Sequence, residues 1–203
     1  MLKHTKSLLT FSLLSTLLVG CGGGGGSGTA QTPDGVRINL TASDKGLVTA
    51  STDTGRLVGH NYTHAFYGVW VDDSKQVREL RFQGTETPRH EIPTSGSATY
   101  YGNAVRLDSV TNEVLTDATS RINVNFGRKT VDGEITMPGL RRDITLHEGR
   151  LNGASYSGQA SVLMNSEGRY DGKLYGPNAA ETAGIVRFGN NPDLDTAFGG
   201  KRY

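Results

Sequence analysis

Short stretches in which apolar and polar residues alternate, broken by glycine, run from Val36 to the carboxyl terminus. The clearest is Thr119-Ser-Arg-Ile-Asn-Val-Asn-Phe126. On an extended chain it places Ile122, Val124 and Phe126 on one face and Arg121, Asn123 and Asn125 on the other. Phe66-Tyr-Gly-Val-Trp-Val71 and Val77-Arg-Glu-Leu-Arg-Phe82 predict a hairpin across the polar turn at Asp72-Asp73. Ser97 to Leu107, Val131 to Met137, Asp143 to Leu146, Tyr156 to Met164, Gly168 to Tyr175 and Ala183 to Phe188 continue the series. About eight strands are expected from Tyr62 onward, an even number that lets first and last pair. Between Val36 and Gly59 the pattern is weaker and predicts a strand or two.

Glycine, 28 of 203 residues, recurs beside aromatic rings. Tyr100-Tyr-Gly-Asn-Ala104 is echoed by Tyr156-Ser-Gly-Gln-Ala160, and Phe66-Tyr-Gly and Tyr170-Asp-Gly share the core of the motif. A ring fills the interior of a small barrel, and a glycine on the same face lets the sheet bend or a neighbouring ring lie across it. Gly176-Pro177 stops the strand ending at Tyr175, because proline has no N–H for the ladder. Lys201 and Arg202 are expected to solvate the end of the last strand.

The amino terminus is of a different kind. Lys3, His4 and Lys6 precede an apolar run from Leu8 to Val19 that is too short to span a bilayer, which takes about 20 residues. The run ends at Leu18-Val19-Gly20-Cys21, the only cysteine, followed by Gly22 to Gly26. This is the layout of a lipoprotein junction: residues 1–20 a signal peptide, Cys21 the site of lipid attachment, and 21–33 a glycine-rich tether with roughly 15 to 20 Å of reach. The remainder divides into a short segment with weak strands, 34–61, and a β-barrel domain, 62–203. Gly22 in place of aspartate is compatible with export to a bacterial outer membrane.

Of 21 lysines and arginines, Lys3 and Lys6 leave with the leader, so the 20 acidic residues are in slight excess and no basic field points to nucleic acid. The body has no cysteine, so its stability rests on packing and backbone pairing. Enzyme signatures are missing: there is no Gly-x-Ser-x-Gly, no His-Glu-x-x-His and no phosphate loop. Asp72-Asp73, adjacent on an extended chain, point to opposite faces and suit a turn better than a catalytic pair. No enzyme is expected.

Several motifs taken together carry a resemblance: Gly96-Ser-Ala-Thr-Tyr-x-Gly, Asn125-Phe-Gly-x-Lys-Thr-x-x-Gly133, Tyr156-Ser-Gly, Tyr175-Gly-Pro-Asn-Ala-Ala-Glu-Thr-Ala-Gly184 and Ala197-Phe-Gly-Gly-Lys-Arg202. From about Tyr62 to Tyr203 the chain resembles transferrin-binding protein B and related surface lipoproteins, among them hemophilin-like haem-binding proteins and, more distantly, factor H-binding proteins. The resemblance implies an all-β fold: an eight-stranded antiparallel β-barrel of the transferrin-binding protein B type, preceded by a short N-terminal β segment. It also implies a lipid-anchored outer-membrane protein facing outward, a monomer that binds a host protein or nutrient carrier such as an iron carrier. An outer-membrane receptor and a surface-lipoprotein translocator are the accompanying partners. The 30 or so residues between tether and Tyr62 are short for the handle domain that family members carry.

Two alternatives stay open, a haem-binding module feeding a receptor and a structural or adhesive lipoprotein. For the first, His60 and His64 would lie on one face of an extended strand, and His90 would supply a ligand from the opposite side of the ring. For protein binding, large rings that face outward are the candidates: Trp70 and Tyr67, and one of Tyr100 and Tyr101, since only one of two adjacent rings can be core.

Overall fold

A computed structural model of the chain describes residues 27–74, 78–108, 111, 113–139, 141–163 and 166–203. The leader, Cys21, the glycines that follow it, Val77 and Met164 lie outside the described residues. A hairpin of β1 (Thr29–Gln31) and β2 (Arg37–Asn39) leads into a four-stranded antiparallel sheet. Its strands, in spatial order, are β3 (Gly46–Ser51), β4 (Gly55–Asn61), β5 (Ala65–Asp72) and β6 (Arg78–Gly84). After a connection with a single 3₁₀ turn at Arg89–Glu91 come β7 (Ser97–Asp108), β8 (Glu113–Asn125), β9 (Thr130–Thr136), β10 (Ile144–Asn152), β11 (Ser155–Val162), β12 (Ser166–Tyr175), β13 (Glu181–Arg187) and β14 (Thr196–Arg202). These eight close into an antiparallel barrel, with β14 returning to β7. The end at which β7 begins and β14 finishes is called the lower end below.

The period-two pattern sets the barrel interior. Ser120, Ile122 and Val124 of β8 are buried, while Arg121 is exposed and Asn123 half-buried, as the alternation requires. The aromatic-x-Gly motif has a cross-strand meaning: Tyr156 pairs with Gly172, and Gly158 with Tyr170. Each ring lies across its partner's glycine, so that a Cβ at Gly158 would sit 2.6 Å from the Tyr170 ring and one at Gly172 would enter the Tyr156 ring. The two rings pass at 6.2 Å between centroids. Their hydroxyls find partners inside: Tyr156 with the Thr182 hydroxyl at 2.7 Å, and Tyr170 with the carbonyls of Val131 and His147, both at 2.8 Å. Fully burying a large side chain is worth about 1.5 to 3 kcal/mol, and the phenols keep that gain only because their polar tips are paired.

Two assignments made from the pattern are corrected. The hairpin Phe66–Phe82 is not barrel wall but β5 and β6 of the preceding sheet, so the barrel begins at Ser97 rather than Tyr62. Its eighth strand is instead Thr196–Arg202, a stretch not among the strands expected from the pattern. The reason lies in β5, where residues 65 to 71 are all buried. Tyr67 packs with Val105, Ala183, Ile185 and Ala197 on the outside of the barrel, and Val69 and Val71 with Leu107. Phe66 and Trp70, on the other face, pack with Ala30, Leu40 and Leu57 under the β1–β2 hairpin. A strand covered on both sides loses the alternation that a solvated barrel wall keeps. The segment ahead of the barrel is thus a two-layer platform that continues to Gly84.

The platform is fastened at two points. At the first, Glu181, buried at the start of β13, accepts hydrogen bonds from the backbone N–H groups of Thr63 (3.1 Å), His64 (2.7 Å) and Ala65 (3.0 Å) in the β4–β5 turn. The second is a gap in the β7–β14 ladder, where the strands stay in contact but the regular pairing lapses. β14 and β7 pair from Thr196↔Arg106 to Phe198↔Ala104 and again from Lys201↔Tyr101, but the pairs between, Gly199 with Asn103 and Gly200 with Gly102, are missing. From outside, the Tyr67 hydroxyl donates to the Asn103 carbonyl at 2.6 Å. From inside, the Ser120 hydroxyl reaches the carbonyls of Gly199 (2.6 Å) and Asn103 (3.1 Å). The glycines make room, since a Cβ at Gly199 would lie 2.5 Å from the Tyr67 ring.

Glu181→Gln keeps one acceptor oxygen but turns an amide NH₂ toward backbone donors, and should lower unfolding free energy by about 2 to 3 kcal/mol in urea. A change under about 0.5 kcal/mol would show that the carboxylate is not the fastening argued here. Tyr67→Phe should cost about 1 to 2 kcal/mol and speed amide exchange along β7 and β14 beside the gap, while exchange in β9 to β11 stays unaltered. Uniformly faster exchange through the barrel would contradict a local role.

Candidate functional site

The three candidate histidines occupy three different settings. The chain reverses at Tyr62–His64, so His60 is on β4 and His64 in the turn, and the shared strand face expected of them does not exist. His60 is buried and stacked on the Tyr67 ring, 5.6 Å between centroids at 24°. Burial lowers its pKa from the ordinary imidazole value, partly offset by a hydrogen bond with the Thr116 backbone, and Nε2 has no partner. His64 lies against Gly176, whose φ of 73° favours glycine and whose Cβ, were it present, would be 2.5 Å from the imidazole. His90 is exposed on the 3₁₀ turn, 3.7 Å from Glu91. Among the described residues no group of three or more His, Cys, Asp or Glu is placed to hold a metal.

The aromatic candidates separate as cleanly. Trp70 and Tyr67, both proposed from sequence as outward rings, are buried, Trp70 in the platform core and Tyr67 at the barrel gap. Tyr100 points into the barrel, where its hydroxyl donates to the Ala179 carbonyl at 2.7 Å. Tyr101 is the outward ring, 50% exposed.

Around Tyr101 the outer wall forms a distinct patch. Its cross-strand neighbours are Arg121 on β8 and Lys201 on β14. Tyr203 sets its ring edge-on to Tyr101, 5.8 Å between centroids at 65°, and is almost wholly exposed. The Lys201 ammonium stands 5.2 Å over the Tyr62 ring, so it does more than solvate a strand end. Arg121 is paired with Glu134 at 3.0 Å. Two rings flanked by cations on a hydrogen-bonded strand offer apolar contact area at little entropic cost, and no nucleophile or acid–base pair accompanies them. Sequence reasoning missed Tyr203 and Lys201, which counting Ala197 to Arg202 as a strand would have aligned with Tyr101.

Comparison with known proteins agrees with this architecture. The family model for the C-lobe and N-lobe β-barrels of transferrin-binding protein B matches residues 92–202. Transferrin-binding protein B of Moraxella catarrhalis is 28% identical over 168 residues, 71% of this chain, and the chain spans 24% of that protein's length. Among solved structures, HpuA of Kingella denitrificans, determined in complex with human haemoglobin, superposes with a TM-score of 0.68 at 22% identity. That match covers 86% of this chain and 76% of HpuA. Transferrin-binding protein B of Haemophilus parasuis gives 0.68 at 20% identity over 88% of this chain but 41% of its own. These structural matches extend beyond the barrel and so take in part of the platform. With the family model lying on all eight barrel strands, the chain belongs to the family of transferrin-binding protein B β-barrels.

Proposed function

We propose that the chain is a bacterial outer-membrane lipoprotein, anchored through Cys21 and facing outward, whose platform-and-barrel unit binds a host iron-carrier protein. The observation that carries this reading is the joint match of platform and barrel. HpuA, a haemoglobin receptor, superposes on 86% of this chain over 76% of its own length. Haemoglobin is therefore the carrier to test first, with transferrin second. The outward rings of Tyr101 and Tyr203 are part of the proposed contact surface, because Tyr101 is held on a paired strand and loses little freedom on binding, and Tyr203 lies edge-on against it. Function on this reading consists of contacts and display, and an outer-membrane receptor and a surface-lipoprotein translocator would act with it. The haem-module alternative loses the shared strand face on which it rested.

Cells displaying the full chain should bind labelled haemoglobin saturably and lose that binding after protease shaving. Tyr101→Ala and Tyr203→Ala should each weaken it by about tenfold, the scale of an interface hot spot. Failure to bind haemoglobin and transferrin from several mammalian hosts, on cells where the chain is accessible to protease, would overturn the reading. Cys21→Ser should abolish palmitate incorporation and release the chain from the membrane fraction. A Cys21→Ser chain still labelled and membrane-bound would remove the anchor assignment.

A further inference from the structure

We propose that the lower end of the barrel carries a pocket for a small carboxylate borne on an apolar body, a site separate from the Tyr101 patch. The connection between platform and barrel passes across that end, and Ile92 packs against the interior core. Between this connection and the turns after β8 and β10 lies a cavity of about 300 Å³. Ile92, Pro93, Phe126 and Leu151 give it an apolar lining, and Arg89 and Lys129 are its only charged residues.

Three features point to an anion. First, no carboxylate lines the cavity, and among the described residues neither Arg89 nor Lys129 is in an ion pair. Second, Lys129 holds φ 57°, left-handed backbone that a side chain with a Cβ adopts at a cost of roughly 1 to 2 kcal/mol and glycine adopts freely. The turn needs that conformation, since the Lys129 carbonyl accepts the Leu151 N–H at 2.9 Å and so joins the two turns that wall the cavity. A lysine there lines the cavity against the preference of its own backbone. Third, the Arg202 guanidinium stands 5.8 Å from the Phe126 ring, adding positive charge beside the apolar wall.

The lining also selects among anions. A bare inorganic anion would leave Ile92, Pro93, Phe126 and Leu151 uncovered, and a neutral apolar ligand would leave both cations without partners. A carboxylate on a short aliphatic or aromatic body satisfies both halves, and the volume lies at the small end of known ligand sites.

The test is an amide NMR titration of the intact chain with octanoate, octanol and inorganic phosphate. Octanoate should shift Thr94, Leu151 and Gly153 saturably, while octanol and phosphate bind at least about tenfold more weakly. Lys129→Gly should weaken octanoate by about fivefold or more while holding or raising the urea midpoint, because it relieves the left-handed strain; Arg89→Gln should weaken it similarly. Equal affinity for octanol and octanoate, unchanged affinity in a folded Lys129→Gly, or no shift at millimolar octanoate would each overturn the proposal.

Discussion

One buried carboxylate makes the platform and the barrel a single body. Glu181 faces three backbone N–H groups of a turn that lies over 110 residues earlier in the chain. Moving the turn away would leave a charge buried without partners, which costs several kcal/mol, so the two layers cannot hinge apart at this joint. The sequence around Glu181 serves the same end. Gly176 clears space for the His64 ring, and its carbonyl accepts the Thr87 hydroxyl at 2.8 Å. Asn178 and Ala179 take left-handed backbone, with φ of 52° and 57°, to turn the chain from β12 into β13 with Glu181 in position. Such strain persists only where the surroundings fix it. The Tyr175–Gly184 motif is thus a joint, and no ligand is needed to explain it.

The gap between β7 and β14 follows from that joint. With the β4–β5 turn fixed on Glu181, β5 lies along the barrel wall and brings Tyr67 to the unpaired stretch at Gly102–Asn103 and Gly199–Gly200. Where the ladder lapses, two carbonyls need partners other than the facing strand. Here Tyr67 takes Asn103 from outside and Ser120 takes both from inside. His60 and Tyr62 complete the support, one stacked on Tyr67 and the other edge-on at 5.8 Å. Burial of Tyr67 drives its pKa well above the ordinary phenol value, keeping the hydroxyl a donor. His60, one of the three candidate ligands, is a wall for the ring that caps the gap in the ladder.

Legibility in the sequence divides along the range of the contacts involved. The alternation at Thr119–Phe126, the ring-over-glycine pairs at Tyr156 and Tyr170, and the split between Tyr100 and Tyr101 depend on neighbouring strands and the two-residue period, and were readable. The placement of Phe66–Val71 was not, because burial on both faces by the barrel and by the β1–β2 hairpin erases the period that would tell a sheet strand from a wall strand. The same holds for Trp70, whose partners Ala30, Leu40 and Leu57 sit in weakly patterned sequence. His60 and His64 share a spacing that suits one strand face only if the chain stays extended. What reverses it is Glu181, which no local pattern around residue 62 announces.

The electrostatics of the two barrel ends differ in a way that net charge conceals. At the upper end Arg78 pairs with Asp193 at 2.8 Å and Arg141 with Asp108 at 2.8 Å, while buried Arg106 bonds Thr196 at 2.9 Å with Asp195 nearby. At the lower end Arg128 pairs with Glu148 and Glu91 accepts the Asn178 N–H, while among the described residues Arg89, Lys129, Lys201 and Arg202 are in no salt bridge, in the region that also presents Tyr101 and Tyr203. These cations bias the local potential of a chain that is close to neutral overall, an effect screened beyond a Debye length of roughly 8 Å. An acidic face would be steered toward this end and then held by the rings, and salt would slow the approach more than it loosened the aromatic contacts. In the proposed binding role, the strand register that places Lys201 of β14 beside Tyr101 of β7 sets a cation next to the exposed ring that a partner would meet.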